Sequence, residues 1–362
     1  MNLTDMGWNP VFEKHFQQHR DQNLIPGRVA REDRSHYTLW TDSGEITVGV
    51  AENLRYQASS KSGFPAVGDW VALARHDSPD QREIVSVLPR SSCFLRKVAG
   101  QTTEEQVLAA NIDTVFLVTG LDNNFNVRRI ERYLTLAWNS GASPVVVLNK
   151  ADVCPEIQSR LDEVREVAIG VPVHAVSAFR QEGIDTIAPY LEHGKTVALL
   201  GSSGVGKSTM INALLGEDRL DTGEVRLDDS RGRHTTTRRE MILLPAGGIL
   251  IDTPGMRELQ VWGDKEGLQR TFDDIEKLAA GCRFADCVHQ SEPGCAVRAA
   301  IEQGALDQAR YDSYLKLQRE FAHLERRRDQ KQASRELREK GKKFAKMVKQ
   351  AKRMRRERGS TR

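Results

Sequence analysis

The 362-residue sequence lacks any apolar run near the length of about 18 residues that a membrane-spanning helix needs, so we expect no membrane partner. Its opening stretch, MNLTDMGWNPVFEKHF, also lacks the basic start, apolar run and small-residue cleavage site of a secretory signal. We therefore expect a cytoplasmic protein. No internal repeat is visible.

Cysteine is also scarce, with five residues in the chain. Two of them stand alone, and the other three, Cys282, Cys287 and Cys295, fall within fourteen residues together with His289. In a cytoplasmic chain such a cluster is more typical of a metal site than of disulfides.

The length of the chain and the distribution of its charge indicate several domains and a separate basic tail. Single hydrophobic cores stop growing at about 250 to 300 residues, so a chain of this length is expected to form two or three domains. The net charge of +3 hides an asymmetry: Glu325 to Arg362 carries 17 Lys and Arg against 5 Asp and Glu, or +12, which leaves −9 for the rest. The basic character belongs to the tail.

The hydrophobic pattern changes along the chain. From Leu24 to about Val98 short β-branched runs alternate with turn residues, which predicts a small antiparallel β-barrel or sandwich. From Asp113 continuous apolar strands alternate with helical segments, which predicts a doubly wound α/β sheet. We expect an N-terminal segment, a barrel, an α/β domain, a helical cysteine-containing domain and a basic tail, at 1–23, 24–98, 106–262, 263–323 and 324–362.

A glycine-rich loop follows the strand KTVALL and precedes the helical STMINALLG, the context that a phosphate-binding loop requires. Its residues are Gly201, Ser202, Ser203, Gly204, Val205, Gly206, Lys207, Ser208 and Thr209. Backbone N–H groups and the helix N-terminus would hold the phosphates, Lys207 would contact the β and γ phosphates, and Ser208 would bind Mg²⁺. The alternative is a merely flexible glycine loop.

Two further motifs lie at the ends of predicted strands. DTPG follows GGILI, where Asp252 would hold Mg²⁺ through water and the Gly255 amide would sense the γ-phosphate; a chance turn is the alternative. The second is a guanine motif, NKAD after PVVVL, completed by SA after VPVHAV: Asn149, Lys150, Ala151, Asp152, Ser177 and Ala178.

The guanine motif makes a nucleotide site selective. A carboxylate at Asp152 can accept both the N1–H and the 2-amino group of guanine, which adenine does not offer. Asn149 would brace the loop, the Lys150 stem would pack on the base, and the Ala178 amide would face guanine O6. The predicted activity is hydrolysis of GTP to GDP with Mg²⁺.

The order of the motifs is unusual, because ordinary GTPases have the phosphate loop first and the guanine motif last. Here Asn149 precedes Gly201. An open parallel sheet tolerates such rewiring, since ligands gather at the carboxyl ends of strands. The chain leaving Asp252 runs directly into the cysteine-containing domain, so nucleotide state could reach that domain by covalent attachment.

The loop RGRHTTTR at 231–238 has the composition of a first switch. Thr237 or Thr236 would bind Mg²⁺ and the γ-phosphate, with Thr237 preferred, and His234 would orient water. The alternative is that His234 is only a polar loop residue. Met256 stands after DTPG, where ordinary GTPases use glutamine.

Cys282, Cys287, His289 and Cys295 provide the Cys₃His set that closes a tetrahedral zinc site, so we expect one structural Zn²⁺. A disulfide plus a free thiol, or unligated buried cysteines, are the alternatives. The basic tail would neutralise RNA phosphates, with a solvated charged helix or membrane-surface binding as alternatives.

As an ordered set, these motifs make residues 24 to 320 resemble the ribosome small subunit-dependent GTPase A family of circularly permuted bacterial GTPases. The resemblance rests on FPAVGDWVA at 64–72, NKAD at 149–152, GSSGVGKST at 201–209, GRHTTT at 232–237, DTPG at 252–255 and the Cys₃His cluster.

The resemblance implies an N-terminal OB-fold barrel, a central P-loop GTPase and a C-terminal zinc domain. It further implies action late in small-subunit maturation, GTPase activity stimulated by that subunit, a hydrophobic residue at Met256 and a catalytic histidine at His234. The long basic tail exceeds the common family pattern.

We expect a monomeric GTPase whose partners are GTP or GDP and the small ribosomal subunit with its rRNA. A nucleotide-switched RNA-binding adaptor without a remodelling role is the alternative. A DNA-binding zinc protein conflicts with the absence of a recognition-helix pattern.

Overall fold

The computed structural model describes residues 2–33, 36–58, 60–76, 81–97, 105–220, 239–252, 265–327 and 329–330. Within them the helices are α1 (Pro10–Arg20), α2 (Glu52–Gln57), α3 (Val127–Ser140), α4 (Ile157–Val167), α5 (Lys207–Leu215), α6 (Glu266–Thr271), α7 (Asp273–Ala280), α8 (Ala296–Glu302) and α9 (308–327). The switch loop with His234 and Thr237, residues 253–264 and the tail from 331 lie outside the described residues.

The strands within the same residues form one large sheet and one hairpin. They are β1 (Leu24–Glu32), β2 (Tyr37–Thr41), β3 (Gly44–Val50), β4 (Trp70–Ala74), β5 (Glu83–Val87), β6 (Cys93–Lys97), β7 (Glu105–Ala110), β8 (Thr114–Gly120), β9 (Ser143–Asn149), β10 (Val173–Ala175), β11 (Thr196–Leu200), β12 (Arg239–Leu243) and β13 (Ile249–Asp252).

The first helix packs an aromatic cluster against the barrel. Asn9 begins α1 because its Oδ1 accepts from the N–H groups of Val11 and Phe12, at 2.9 and 3.2 Å. Trp8 lies edge-on to Trp70 of β4, with 4.6 Å between the ring centroids. The N-terminal segment is therefore fixed on the barrel.

Five strands close into a barrel in the order β1, β2, β3, β5, β4 and back to β1. The predicted barrel is confirmed, but it is not wholly antiparallel, because β3 pairs with β5 in parallel. An odd number of strands cannot alternate in direction around a closed ring, so one parallel pair is required. β6 pairs with β7 as a separate hairpin between the barrel and the next domain.

The α/β sheet runs β10, β9, β8, β11, β13 in parallel, with β12 antiparallel at its edge. This confirms the predicted α/β architecture. All seven residues of β8 are buried, and its side chains alternate between two cores. Leu117 packs in the core that contains Ile130 of α3, and Phe116 in the core that contains Met210 of α5.

The barrel and the α/β sheet are joined through β1. Glu32 of β1 is the register partner of Arg239 in β12. The fully buried Arg28 donates to the Asn111 carbonyl at 3.1 Å, to Thr196 Oγ1 at 2.9 Å and to the Met6 carbonyl. Burial lowers the pKa of Arg28 to about 10, so it still carries its charge at neutral pH.

The helical domain packs against α3 in the same core that contains Leu117 and Ile130. Tyr314, Leu317 and Phe321 lie on one side of α9, and all three are buried. They recur every three or four positions in the sequence, which is the spacing of one face of a helix. None of the helices in the described ranges combines the length and apolar character that crossing a membrane requires.

Candidate functional site

The predicted nucleotide motifs meet at one edge of the α/β sheet. Asn149 is the last residue of β9, Ser177 follows β10, Gly201 follows β11 and Asp252 ends β13. These strands are parallel, so their carboxyl ends lie at the same edge, which is where open α/β sheets bind ligands.

Two glycines of the phosphate loop have no room for a side chain. A Cβ on Gly201 would lie 2.4 Å from the Val118 carbonyl oxygen, and one on Gly206 would lie 2.3 Å from Asn149 Nδ2. Gly206 also has a φ of +90°, in the left-handed region that favours glycine. The glycine spacing is therefore required by the close approach of this loop to β8 and β9.

α5 begins immediately after this loop, at Lys207. The Lys207 ammonium donates to the Gly201 and Ser202 carbonyls, at 2.7 and 2.6 Å, so it lies over the loop itself. Ser208 and Thr209 follow in the first turn, where N–H groups have no intrahelical partner. This arrangement suits a polyphosphate, because cationic and N–H donors converge on one loop.

Asn149 connects the two halves of the site. It is 2% exposed, its Nδ2 donates to the Val205 carbonyl at 2.9 Å, and its Oδ1 accepts from the Ala178 N–H at 3.0 Å. One side chain thus holds the phosphate loop and the SA loop together. The Ala178 amide, expected to face guanine O6, is bonded to Asn149 in this structure.

The carboxylate of the guanine motif is oriented by its neighbour. The buried Ser177 donates its hydroxyl to Asp152 Oδ1 at 2.7 Å, and its oxygen accepts from the Arg180 N–H at 3.1 Å. Ser177 therefore fixes the side chain of Asp152, a function that its place in a short SA pair does not reveal.

The four predicted metal ligands lie together in the helical domain. All their ligand atoms are within 4.8 Å of one another. His289 Nδ1 lies 3.5 Å from Cys282 Sγ and 3.4 Å from Cys295 Sγ, and the two sulfurs are 3.9 Å apart. All five cysteines fall in the described residues and none is in a disulfide, so the disulfide alternative is not realised. The cluster can hold a metal ion.

Glu292 organises the loop of this cluster, hereafter the metal loop (282–295). Its carboxylate accepts from the N–H groups of Val288, Gln290 and Ser291 at 2.9 to 3.0 Å. These backbone bonds lower the pKa of Glu292 to about 2. No sequence pattern indicated this residue, since an isolated glutamate between ligands has no spacing signal.

Comparison with known proteins decides the family. The family model described as RsgA GTPase matches residues 87–262. A relative from Opitutus terrae, named small ribosomal subunit biogenesis GTPase RsgA, is 50% identical over 338 residues, covering 91% of this chain and 92% of the relative. The chain belongs to the RsgA GTPase family. It is therefore a GTP-hydrolysing enzyme, as the motifs predict.

Other similarities agree with this family. A relative from Oceanobacillus iheyensis, named small ribosomal subunit biogenesis GTPase RsgA 1, is 45% identical, with 93% of this chain and 96% of the relative covered. The crystal structure of YjeQ from Thermotoga maritima matches with a TM-score of 0.62 and 28% identity over 83% of this chain and 99% of that one.

The structure described as YloQ, a circularly permuted GTPase, matches with a TM-score of 0.60 and 25% identity, over 83% of this chain and 96% of that one. The ABC transporter family model also matches, over residues 184–350. Both family matches contain the phosphate loop at 201–209, but the guanine motif at 149–152 lies outside the second match.

Three residues of this RsgA-family site belong to none of the predicted motifs. Asp122 accepts from the Lys150 ammonium at 2.6 Å, and Asn124 and Arg129 both bond to Ser202 Oγ, at 3.2 and 3.0 Å. They follow β8, which lies between β9 and β11. The polar run LDNN, directly after a buried strand, is a signal that could have found Asp122 and Asn124, but not Arg129.

The Lys150–Asp122 pair changes the electrostatics of the guanine side. Burial alone would raise the pKa of Asp122, but the Lys150 ammonium and the Asn124 N–H more than offset it, so that pKa lies below its usual value. Lys150 has a left-handed backbone, with φ of +65°. The pair therefore holds a strained residue in place within the predicted guanine motif.

Proposed function

We propose that this GTPase acts in late maturation of the small (30S) ribosomal subunit, binds its rRNA and is stimulated by the subunit. The supporting observation is the relative named for small-subunit biogenesis, which is 50% identical over 92% of its length. The similarity includes the barrel and the helical domain as well as the catalytic domain, so the parts that would contact the subunit are shared.

Guanine selectivity is assigned to Asp152, whose carboxylate would accept from N1–H and the 2-amino group. The Ser177 hydroxyl supports this role because it fixes the carboxylate at 2.7 Å. For Ala178 to donate to guanine O6, its N–H must share or exchange its bond with Asn149. Binding of the base and the position of Asn149 are then linked.

Hydrolysis is assigned to the phosphate side of the same edge. Lys207 would move from the loop carbonyls onto the β and γ phosphates, and Ser208 with Asp252 would hold Mg²⁺. Thr237 and Gly255 would complete the γ-phosphate contacts, and His234 would position the attacking water. Mg²⁺ supplies charge neutralisation of the phosphates when bound.

The metal of the loop is assigned as one structural Zn²⁺. Tetrahedral zinc with bonds of about 2.3 Å to sulfur and 2.0 to 2.1 Å to nitrogen separates two sulfurs by about 3.8 Å and a sulfur from a nitrogen by about 3.5 Å. The separations among Cys282, His289 and Cys295, 3.9 Å and 3.4 to 3.5 Å, fit these values, and Cys287 Sγ lies within 4.8 Å of the other ligand atoms. Four protein ligands close the coordination sphere, which gives the metal a structural role.

Location, oligomeric state, domain bounds and the role of the tail are also part of this proposal. We place the protein in the cytoplasm as a monomer, divided into the five segments 1–23, 24–98, 106–262, 263–323 and 324–362. The basic tail would contact rRNA phosphates, because 17 cations in 38 residues suit counterion release.

The test is GTP hydrolysis with separated ribosomal subunits, with His234→Ala as the informative variant. We expect small subunits, but not large ones, to raise the wild-type rate. His234→Ala should lose this stimulation and keep its GTP affinity, because the histidine positions water and does not hold the nucleotide. No stimulation of the wild-type protein would refute the proposed function, and a fully stimulated variant would refute the role of His234.

A further inference from the structure

The first turn of α3 touches the phosphate loop. Asn126 caps the helix, with its Oδ1 3.0 Å from the Arg129 N–H. The Arg129 guanidinium then reaches Ser202: Nη1 lies 3.0 Å from Ser202 Oγ and 2.8 Å from Asn124 Oδ1. Asn124 Nδ2 lies 3.2 Å from the same Ser202 Oγ. Arg129 and Asn124 thus form a clamp on one side chain of the loop.

This clamp acts next to the predicted catalytic lysine. The carbonyl of Ser202 accepts from the Lys207 ammonium at 2.6 Å, while its hydroxyl oxygen is held by the clamp. Moving Arg129 would therefore move the residue on which the ammonium rests. Small misplacements of this kind cost rate, since phosphoryl transfer depends on positioning and electrostatics.

The rest of α3 is held by charged groups of the helical domain. Glu131, whose side chain is fully buried, accepts from Arg310 of α9 at 2.9 Å and from Arg128 at 2.6 Å. Arg310 also pairs with Asp274 of α7 at 2.7 Å. Arg132 pairs with Glu320 of α9 at 2.8 Å. α3 is thus tied to two helices of that domain, through Glu131 and Arg132.

The end of α3 is packed closely against α6. The Gly267 N–H donates to Asn139 Oδ1 at 2.9 Å, and a Cβ on Gly267 would lie 2.3 Å from that oxygen. The Arg270 guanidinium lies 3.9 Å from the Trp138 ring centroid. These contacts along α3 couple it to the helical domain, because this interface cannot slide without breaking them.

We propose that Arg129 is a positioning residue for GTP hydrolysis, that it acts through Ser202, and that the helical domain sets its position through α3. The part of the proposal that concerns the helical domain rests on the proposed function, because it assigns this route through α3 to stimulation by the small subunit. This route through α3 differs from transmission of the nucleotide state through the chain that follows Asp252, because α3 precedes both the phosphate loop and that chain.

The first half is tested on the full-length, metal-loaded protein without ribosomes. We expect Arg129→Ala and Ser202→Ala each to lower kcat by about 10- to 100-fold with a much smaller change in KM. Their double variant should be no worse than Ser202→Ala alone, because Ser202→Ala already removes the bond to Arg129. Arg129→Lys should recover part of the rate. Arg165→Ala, which removes an exposed arginine from α4, is the matched control and should retain wild-type kcat.

An unchanged kcat in Arg129→Ala would overturn the positioning role. Effects that multiply in the double variant would show that Arg129 does not act through Ser202. Thermal unfolding of each variant excludes misfolding as the cause, and Ser202→Ala removes so little volume that it remains informative if Arg129→Ala is unstable.

The second half is tested by the ratio of subunit-stimulated to basal rate. Arg132→Glu breaks the pair with Glu320 without touching the phosphate loop, and we expect a lower ratio with a basal rate within about twofold of wild type. Adding Glu320→Arg restores the pair with opposite polarity and should restore the ratio. An unchanged ratio in Arg132→Glu would overturn the route through α3. Absence of stimulation in the wild-type protein would instead refute the proposed function, and the basal test of Arg129 would stand.

Discussion

Replacing Asn149 by alanine tests the connection between the two halves of the nucleotide site. The substitution leaves the Val205 carbonyl and the Ala178 N–H without their partner, and both residues are buried, at 1% and 3% exposure. Leaving a buried polar group unpaired costs about 1 to 3 kcal/mol. We expect Asn149→Ala to lower the free energy of unfolding by about 2 to 4 kcal/mol, since the two loops relax partly.

The same substitution should weaken nucleotide binding. Without Asn149 the phosphate loop and the SA loop are no longer fixed relative to each other, so the nucleotide must order them when it binds. If ordering these loops reduces the free energy of GDP binding by about 1.4 to 2.8 kcal/mol, the affinity for GDP drops by about 10- to 100-fold. Calorimetric titration with GDP and urea unfolding without nucleotide measure the two effects separately.

Asn111→Ala is the matched control. Asn111 is also buried, and its side chain bonds to the Gly68 carbonyl at 3.0 Å and to the Ser91 N–H at 2.9 Å, away from the nucleotide motifs. Its φ of +54° adds strain for alanine, so its loss of stability should be at least as large. Wild-type GDP affinity in Asn149→Ala, or an equal loss of affinity in Asn111→Ala, would show that Asn149 does not link the two loops.

The metal loop, the guanine side and the tail each allow a further test. Protein purified without chelator should contain one zinc per chain, and Cys287→Ser should lose it while keeping GDP affinity; a wild-type protein without zinc would contradict this. Lys150 lowers the pKa of Asp122, so wild type should exceed Asp122→Asn in free energy of unfolding by a constant amount from pH 6 to 8. This difference should disappear as pH falls below about 4, where the carboxylate becomes protonated. A difference that persists at pH 2 would contradict the pairing. Truncation before Glu325 should weaken small-subunit binding without changing GTP affinity, and it should reduce the salt slope of log K by about 0.7 to 0.9 for each phosphate that the tail neutralises. An unchanged slope would show that the tail neutralises none.

Local patterns predicted the features that short segments determine. The glycines of the phosphate loop, the ends of β9 and β13, and the spacing of Cys282, Cys287, His289 and Cys295 are set within a few residues of each motif. The barrel and the α/β sheet were predicted from alternation and continuous apolar runs. Because each of these features depends on residues that are close together in the chain, a single sequence was sufficient to predict them.

Interactions that depend on strand order were not predictable in this way. Arg129 meets Ser202 only because β8 lies beside β11, and Arg28 meets Thr196 only because the barrel docks on the α/β sheet. The parallel pair of β3 and β5 follows from ring closure and not from the pattern of either strand. Likewise, nothing in the periodicity of α9 indicated that α3 would be its partner.

Nucleotide selectivity, compared between the wild-type protein and Asp152→Asn, tests the assignment of the site most sharply. We expect the wild-type protein to hydrolyse GTP with a kcat/KM far above that for ATP and XTP, because the Ser177-fixed carboxylate can accept from both the N1–H and the 2-amino group of guanine, a pair of donors that neither adenine nor xanthine offers. Asp152→Asn should reverse the preference between GTP and XTP, since the 2-oxo group of xanthine requires a donor. A wild-type protein that hydrolyses ATP as efficiently as GTP, or a variant that still prefers GTP, would contradict the assignment.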